Sequence, residues 1–125
     1  MRTVRQQLGE RSERLAVELL TAEGYRVERA NVRFPIGEID LIAWDGQTLC
    51  FVEVRSASSE AWGGAAASIT EPKRRRLIQA AQWYLQRLRQ VPAEIRFDVV
   101  AVSWARAERP KAELIRGAFE AQGAW

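Results

Sequence analysis

The stretch Gly37–Arg55, GEIDLIAWDGQTLCFVEVR, restricts the fold of this chain more than any other part of it. Leu49 to Val54 is a dense apolar run, the mark of a strand covered on both faces. Asp45-Gly46, just before Gln47, is a strong hairpin signal, because a type I′ turn needs φ > 0 at its centre. A two-residue Asp45-Gly46 loop places Asp40 opposite Phe51 and Glu38 opposite Glu53. Side chains alternate along a strand, so Glu38, Asp40, Glu53 and Arg55 are expected on one face. Asp40 and Glu53 are then diagonal neighbours, roughly 7–8 Å apart at the backbone, near enough to share one ion.

Carboxylates gathered inside a sheet repel one another and are costly to desolvate unless paired or bound to metal. Two readings follow. In one, Arg55 neutralises Glu53 as a structural ion pair and the remaining acids are solvated rim. In the other, the acids are oxygen ligands for a hard cation, Mg²⁺ or Mn²⁺. The chain has no histidine, which excludes His-ligated zinc, His-based nucleophile triads and imidazole acid–base chemistry. Hydrolysis by such a chain relies on carboxylates, Lys, Arg and metal-bound water.

The 125 residues are expected to form a single domain, 1–125, large enough for a modest core. No apolar run approaches a membrane span, and the N-terminus lacks the apolar core of a signal peptide. The single cysteine, Cys50, sits inside a strand and cannot form an internal disulfide, which fits a cytoplasmic setting. A net charge of +3 and a pI near 9.6 suit a polyanionic partner.

From Val4 to Glu23 the spacing of Leu8, Leu15, Ala16, Leu19 and Leu20 predicts an amphipathic helix, with Gly24 as its C′ residue. Tyr25 to Asn31 reads as a first strand, and Pro35 and Gly37 as a bend into the hairpin. Ser56 to Ser68 is rich in Ser, Ala and Gly and reads as a loop, in which Trp62 either stacks on a base or anchors the loop. Thr70-Glu71-Pro72 opens a second helix, with Leu77, Ala81, Tyr84, Leu85 and Leu88 as its apolar stripe. Its first turns carry Lys73, Arg74, Arg75 and Arg76, which oppose the helix dipole and so suggest a phosphate-binding surface. Ile95 to Val102 is another strand, and Glu113 to Arg116 a short edge strand before a tail ending in Trp125.

An Asp on one strand followed by Glu-x-Lys on the next is the signature of the PD-(D/E)xK restriction-endonuclease-like superfamily. Within it, Gly37-Glu38-Ile39-Asp40-Leu41-Ile42-Ala43 and Phe51-Val52-Glu53-Val54 closely resemble the two central motifs of the YraN-type family, a branch similar to archaeal Holliday-junction resolvases. Arg96-Phe97-Asp98-Val99-Val100 and Ala118-Phe119 resemble later motifs, so the likeness covers nearly the whole chain. It implies an α/β restriction-endonuclease-like fold, a central mixed β-sheet flanked by helices in the order α-β-β-β-α-β-(β). It also implies a metal held by Asp40, Glu53, the Val54 carbonyl and Glu13 from the first helix, where Ser12 replaces the family's glycine. The family's Lys is Arg55 here, and Ala57 stands where a further Arg is usual.

The implied activity is metal-assisted phosphodiester hydrolysis on DNA, branched DNA included, with catalytic residues Asp40, Glu53, Arg55 and Glu13. Arg55 can stabilise the phosphate's negative charge but cannot act as a base, and Lys73 on the second helix is a candidate to stand in for the family's Lys if it reaches the site. Two other functions fit the same residues: a nucleic-acid-binding module of little or no activity, or a protein-binding scaffold using a Trp-rich surface. The reading admits a homodimer.

Overall fold

The computed structural model describes residues 1–57, 69–105 and 108–121. Helix α1 (Val4–Ala22) is followed by strands β1 (Arg26–Phe34), β2 (Gly37–Asp45) and β3 (Thr48–Ala57), helix α2 (Glu71–Leu85), and strands β4 (Glu94–Ser103) and β5 (Lys111–Phe119). The five strands form one sheet in the order β1-β2-β3-β4-β5. All neighbours are antiparallel except β3 and β4, which run parallel with α2 as their crossover. The expected order and the mixed sheet are therefore observed, and β5 is a full nine-residue strand where a four-residue one was expected.

Both helices are closed by their own sequence. Thr3 and Gln6 form a reciprocal capping box at the start of α1. At its end Gly24 takes φ +92°, and Tyr25 N–H donates to the Leu20 carbonyl over 2.9 Å, a Schellman closure. Thr70 caps α2, with Pro72 in the first turn, where a missing N–H costs nothing.

Each helix covers one face of the sheet. Ala16 and Leu20 of α1 pack with Leu41, Ala43, Cys50, Val52, Val100 and Val102. Leu77, Ala80 and Ala81 of α2 pack with Ile42, Trp44, Leu49, Phe51, Phe97 and Val99 on the other side. There Phe51, Phe97 and Phe119 form a ladder across three strands, with ring centroids 5.7 and 4.9 Å apart. The central strands thus read as continuous apolar runs because both of their faces are buried. Among the described residues no helix is long and apolar enough to cross a membrane.

The β2–β3 hairpin departs from the expected register. Asp45 pairs with Thr48, so the loop is Gly46-Gln47, and only Gly46, at φ +61°, is left-handed. Asp45 stays in the strand because its carboxylate is held by Arg96 at 2.8 Å. The pairing moves by two residues, and one step beyond Leu41↔Val52 it puts Asp40 directly across from Glu53.

Strict alternation also fails, at Asp40. Leu41 belongs to the core under α1, yet Ile39, two positions away, lies in the core under α2. On β1 the same switch falls between Ala30, opposite Leu41, and Val32, opposite Ile39 and packed on the α2-side core. Asn31, at the crossing point, has φ +54°. Gly37 consequently faces α2, where an added Cβ would meet the Arg76 carbonyl at 3.5 Å. Glu38 is thereby shifted out of the strict alternation it was expected to share with Asp40 and Glu53, yet it borders the same cavity as both.

Candidate functional site

Asp40 and Glu53 come together where β2 and β3 pass under the N-terminus of α2. Glu53 is 4% exposed, so its charge needs a partner close by. That partner is Lys73, whose Nζ lies 2.7 Å from Glu53 Oε1. Arg55 is half-buried further along the same strand and forms no ion pair among the described residues. The expected structural pair of Glu53 with Arg55 is therefore replaced by one with Lys73. Thr70, by accepting the Lys73 N–H in its cap, fixes the turn from which that side chain reaches down.

Asp40 is half-buried, and its Oδ2 accepts the Val54 N–H over 2.8 Å. Its pKa is pushed up to about 8, first by burial and then by the Glu53 charge, against the lowering effect of the Val54 hydrogen bond. The two acids border a cavity of about 160 Å³ that Gly37, Glu38, Lys73, Arg76 and Leu77 complete.

Glu13 is brought to the edge of this group but not into it. Its Oε1 accepts a 2.8 Å hydrogen bond from Asn31 Nδ2. Burial and the Glu38 charge raise its pKa, with Asn31 opposing them, and its own charge acts on Asp40. Among the described residues no group of three or more His, Cys, Asp or Glu side chains converges as a ready metal cage. Of the four residues expected as ligands, Asp40 and Glu53 border one cavity, Val54 contacts Asp40 through its N–H, and Glu13 does not line that cavity.

The basic run of α2 does not form one surface. Lys73 and Arg76, three apart, share the face toward the site, as helix geometry requires. Arg74 turns the other way: its Nε donates to the Ile69 carbonyl over 3.1 Å, and its guanidinium lies 5.4 Å from the Phe119 ring centre. Arg75 is exposed. Trp62 and most of the Ser56 to Ser68 stretch lie outside the described residues, as does Trp125. A Trp-rich surface is not what the described tryptophans make: Trp44 and Trp104 are buried, and only Trp83 is exposed.

Two residues gain roles that spacing alone did not give them. Ser12 is buried and accepts the Trp104 Nε1–H over 2.8 Å, tying α1 to the end of β4. Asp98, inside an apolar strand, is fully buried and accepts from Tyr25, Arg96 and the Gly117 N–H, which closes a bulge in β5. The Arg96-Phe97-Asp98 motif thus ties Tyr25, Asp45 and the β5 bulge together, with Asp98 paired to Val52, the residue before Glu53.

Comparison with known proteins gives the same extent as the site. The family model described as "Uncharacterised protein family UPF0102" matches residues 12–102, which include Glu13, Asp40, Glu53 and Lys73. A UPF0102 protein of Desulfosudis oleivorans is 45% identical over 117 residues, covering 94% of this chain and 93% of its own length. One from Symbiobacterium thermophilum is 46% identical over 114 residues, covering 91% and 97%. Another, from Methylococcus capsulatus, is 48% identical over 114 residues, covering 91% of each. With a family model running from within α1 through α2 into the end of β4, and relatives this similar along nearly their full length, the chain belongs to the UPF0102 family.

Proposed function

We propose that this protein is a divalent-metal-dependent nuclease of the PD-(D/E)xK type that hydrolyses phosphodiester bonds in DNA. The observation that carries the reading is the Asp40–Glu53 pair with Lys73 at 2.7 Å. A carboxylate, a second carboxylate and a Lys are what the superfamily signature calls for, and here the Lys comes from α2 instead of β3. The donor set suits the metal. Two oxygen-bearing side chains are the usual protein contribution to Mg²⁺, whose shell is otherwise water and phosphate. A divalent cation would also offset the burial and the Glu53 charge that together keep Asp40 protonated.

When bound, the metal supplies a more acidic water and neutralises charge developing on the phosphate. The rest falls to the chain. Val54 N–H holds Asp40 in a single orientation, and Glu53 orients Lys73 across the cavity. A lysine amine can hold or exchange a proton with the attacking water, which a guanidinium cannot do. Arg76 lines the cavity and offers a fixed positive charge to the phosphate.

One observation favours a second reading, a DNA-binding module without hydrolysis. The Lys73 ammonium itself stands against Glu53, where a metal would also need to sit. Cleavage assays on duplex, single-stranded and branched DNA in Mg²⁺ or Mn²⁺ separate the two. Metal-dependent cleavage that Asp40→Ala abolishes is the expected result. DNA binding with no cleavage under any metal supports the module.

A further inference from the structure

Asn31 is the only non-glycine residue with positive φ among the described residues, at +54°. Left-handed backbone costs most L-residues roughly 1–2 kcal/mol, and Asn is among the few that tolerate it. Here the conformation has two consequences. It lets β1 and β2 change faces together, sending Val32 and Ile39 into the core under α2. It also directs the Asn31 side chain to α1, where Nδ2 meets Glu13 Oε1 at 2.8 Å.

The position of this contact is informative. Asn31 lies across from Asp40 in the β1–β2 pairing, between Ala30↔Leu41 and Val32↔Ile39. A hydrogen bond there ties the helix acid to the strand register that also places Asp40 beside Glu53. The Glu38 charge repels Glu13 rather than holding it. Asn31 is thus the donor that restrains the Glu13 carboxylate at the rim of the site.

Building on the metal-dependent reading above, we propose that Asn31 is a positioning residue: from its left-handed place opposite Asp40 it holds Glu13 at the rim of the site, from which that carboxylate moves in as a third oxygen donor once Asp40 and Glu53 bind a cation. Second-sphere hydrogen bonds of this kind typically change metal affinity about 10–100-fold.

The test is Mn²⁺ titration by calorimetry on the whole chain. Asn31→Gly keeps the left-handed backbone, which glycine adopts freely, and removes only the amide. Unfolding curves without metal establish that the variant folds like the parent. Asn31→Gly is expected to weaken Mn²⁺ binding about tenfold. Glu13→Gln should weaken it at least as much, and the double variant no more than Glu13→Gln alone. Parental affinity in Asn31→Gly, or losses that simply add in the double variant, overturn the positioning role while leaving the metal site standing. A parent that binds no Mn²⁺, or binds it equally well as Asp40→Ala, removes the metal reading and this proposal with it.

Discussion

Lys73 Nζ stands 2.7 Å from Glu53 Oε1, so the cation beside the buried acid comes from α2 and not from Arg55, two positions along the same strand. The sheet can therefore place an acid in its interior while a helix supplies the compensating charge. This arrangement changes what each cation is expected to do. Arg55 has no acid partner among the described residues, whereas Lys73 touches the carboxylate that would hold a metal.

Lys73→Ala should therefore lower metal-dependent cleavage by about 10²–10⁴-fold, the usual scale of proton-transfer assistance. On the proposed reading, in which Lys73 takes the lysine's part, Arg55→Lys in the parent should change the rate little. In the Lys73→Ala background, however, Arg55→Lys should recover part of the loss. Rates measured on a labelled DNA substrate for the four proteins decide this. A large gain from Arg55→Lys alone would show that Lys73 does not take the lysine's part.

The same contact has a stability cost when broken. Lys73→Ala leaves Glu53 buried with no cation, and one partially exposed member makes the penalty smaller than for a wholly buried pair. A loss of about 1–3 kcal/mol is expected by urea titration at neutral pH. Glu53→Gln with Lys73→Ala should recover much of it, since no uncompensated charge then remains.

How much of this could be read from the sequence depends on the range of the interaction. The hairpin was legible, since Asp45-Gly46 and the two apolar runs are local signals, and so were the caps at Thr70 and Gly24. The proximity of Asp40 and Glu53 followed from period-2 spacing, although Arg96 holds Asp45 in the strand and moves the register by two. The face switch was not legible. Asn31 is a residue type that tolerates left-handed backbone, but within an apparent strand it does not announce a change of face, and its effect depends on pairing with β2. Nor could the sequence sort the four cations of α2, because their directions depend on where the helix lies over the sheet. Asp98 shows the same limit: inside Phe97-Asp98-Val99 only the arrival of Tyr25, Arg96 and Gly117 makes a buried acid tolerable.

Asp98→Ala is accordingly expected to be among the most destabilising single substitutions. It leaves the Gly117 N–H without its acceptor and removes the anion beside Arg96. A loss of about 3–5 kcal/mol, read from the denaturation midpoint, matches the breaking of a buried ion pair. Asp98→Asn, which keeps an acceptor, should lose less. A near-parental midpoint for Asp98→Ala would mean that the bulge and Arg96 find other partners.

DNA affinity should divide the cations of α2 by direction. Arg76→Gln, on the site's face, should weaken binding and reduce the log–log salt slope by about one unit. Arg74→Gln should leave that slope alone and lower stability, because Arg74 holds the Ile69 carbonyl and covers Phe119. Titrations of a labelled duplex at several salt concentrations check both. Equal slope losses from the two variants would restore a single basic surface along the helix.

The raised pKa of Asp40 gives a pH dependence with a definite sign. Its folded value, about 8, lies above the ordinary 3.8. The group's contribution to stability is thus present in full below that ordinary value and is lost as pH rises through the folded one. Without metal, the melting temperature should fall between those limits more steeply in the parent than in Asp40→Asn. The variant keeps an acceptor for the Val54 N–H but has no charge to bury, so it should be the more stable protein at pH 8. Metal affinity should run the opposite way. A cation must displace the Asp40 proton, so Mn²⁺ binding should strengthen by about tenfold per pH unit and level off near pH 8. Calorimetry in buffers of different ionisation enthalpy counts the proton released, with about one expected at pH 7. Affinity that stays flat from pH 6 to 8 would place the cation away from Asp40, whereas a variant that is stabler at high pH but no longer binds metal would locate the conflict between folding and function in this one carboxylate.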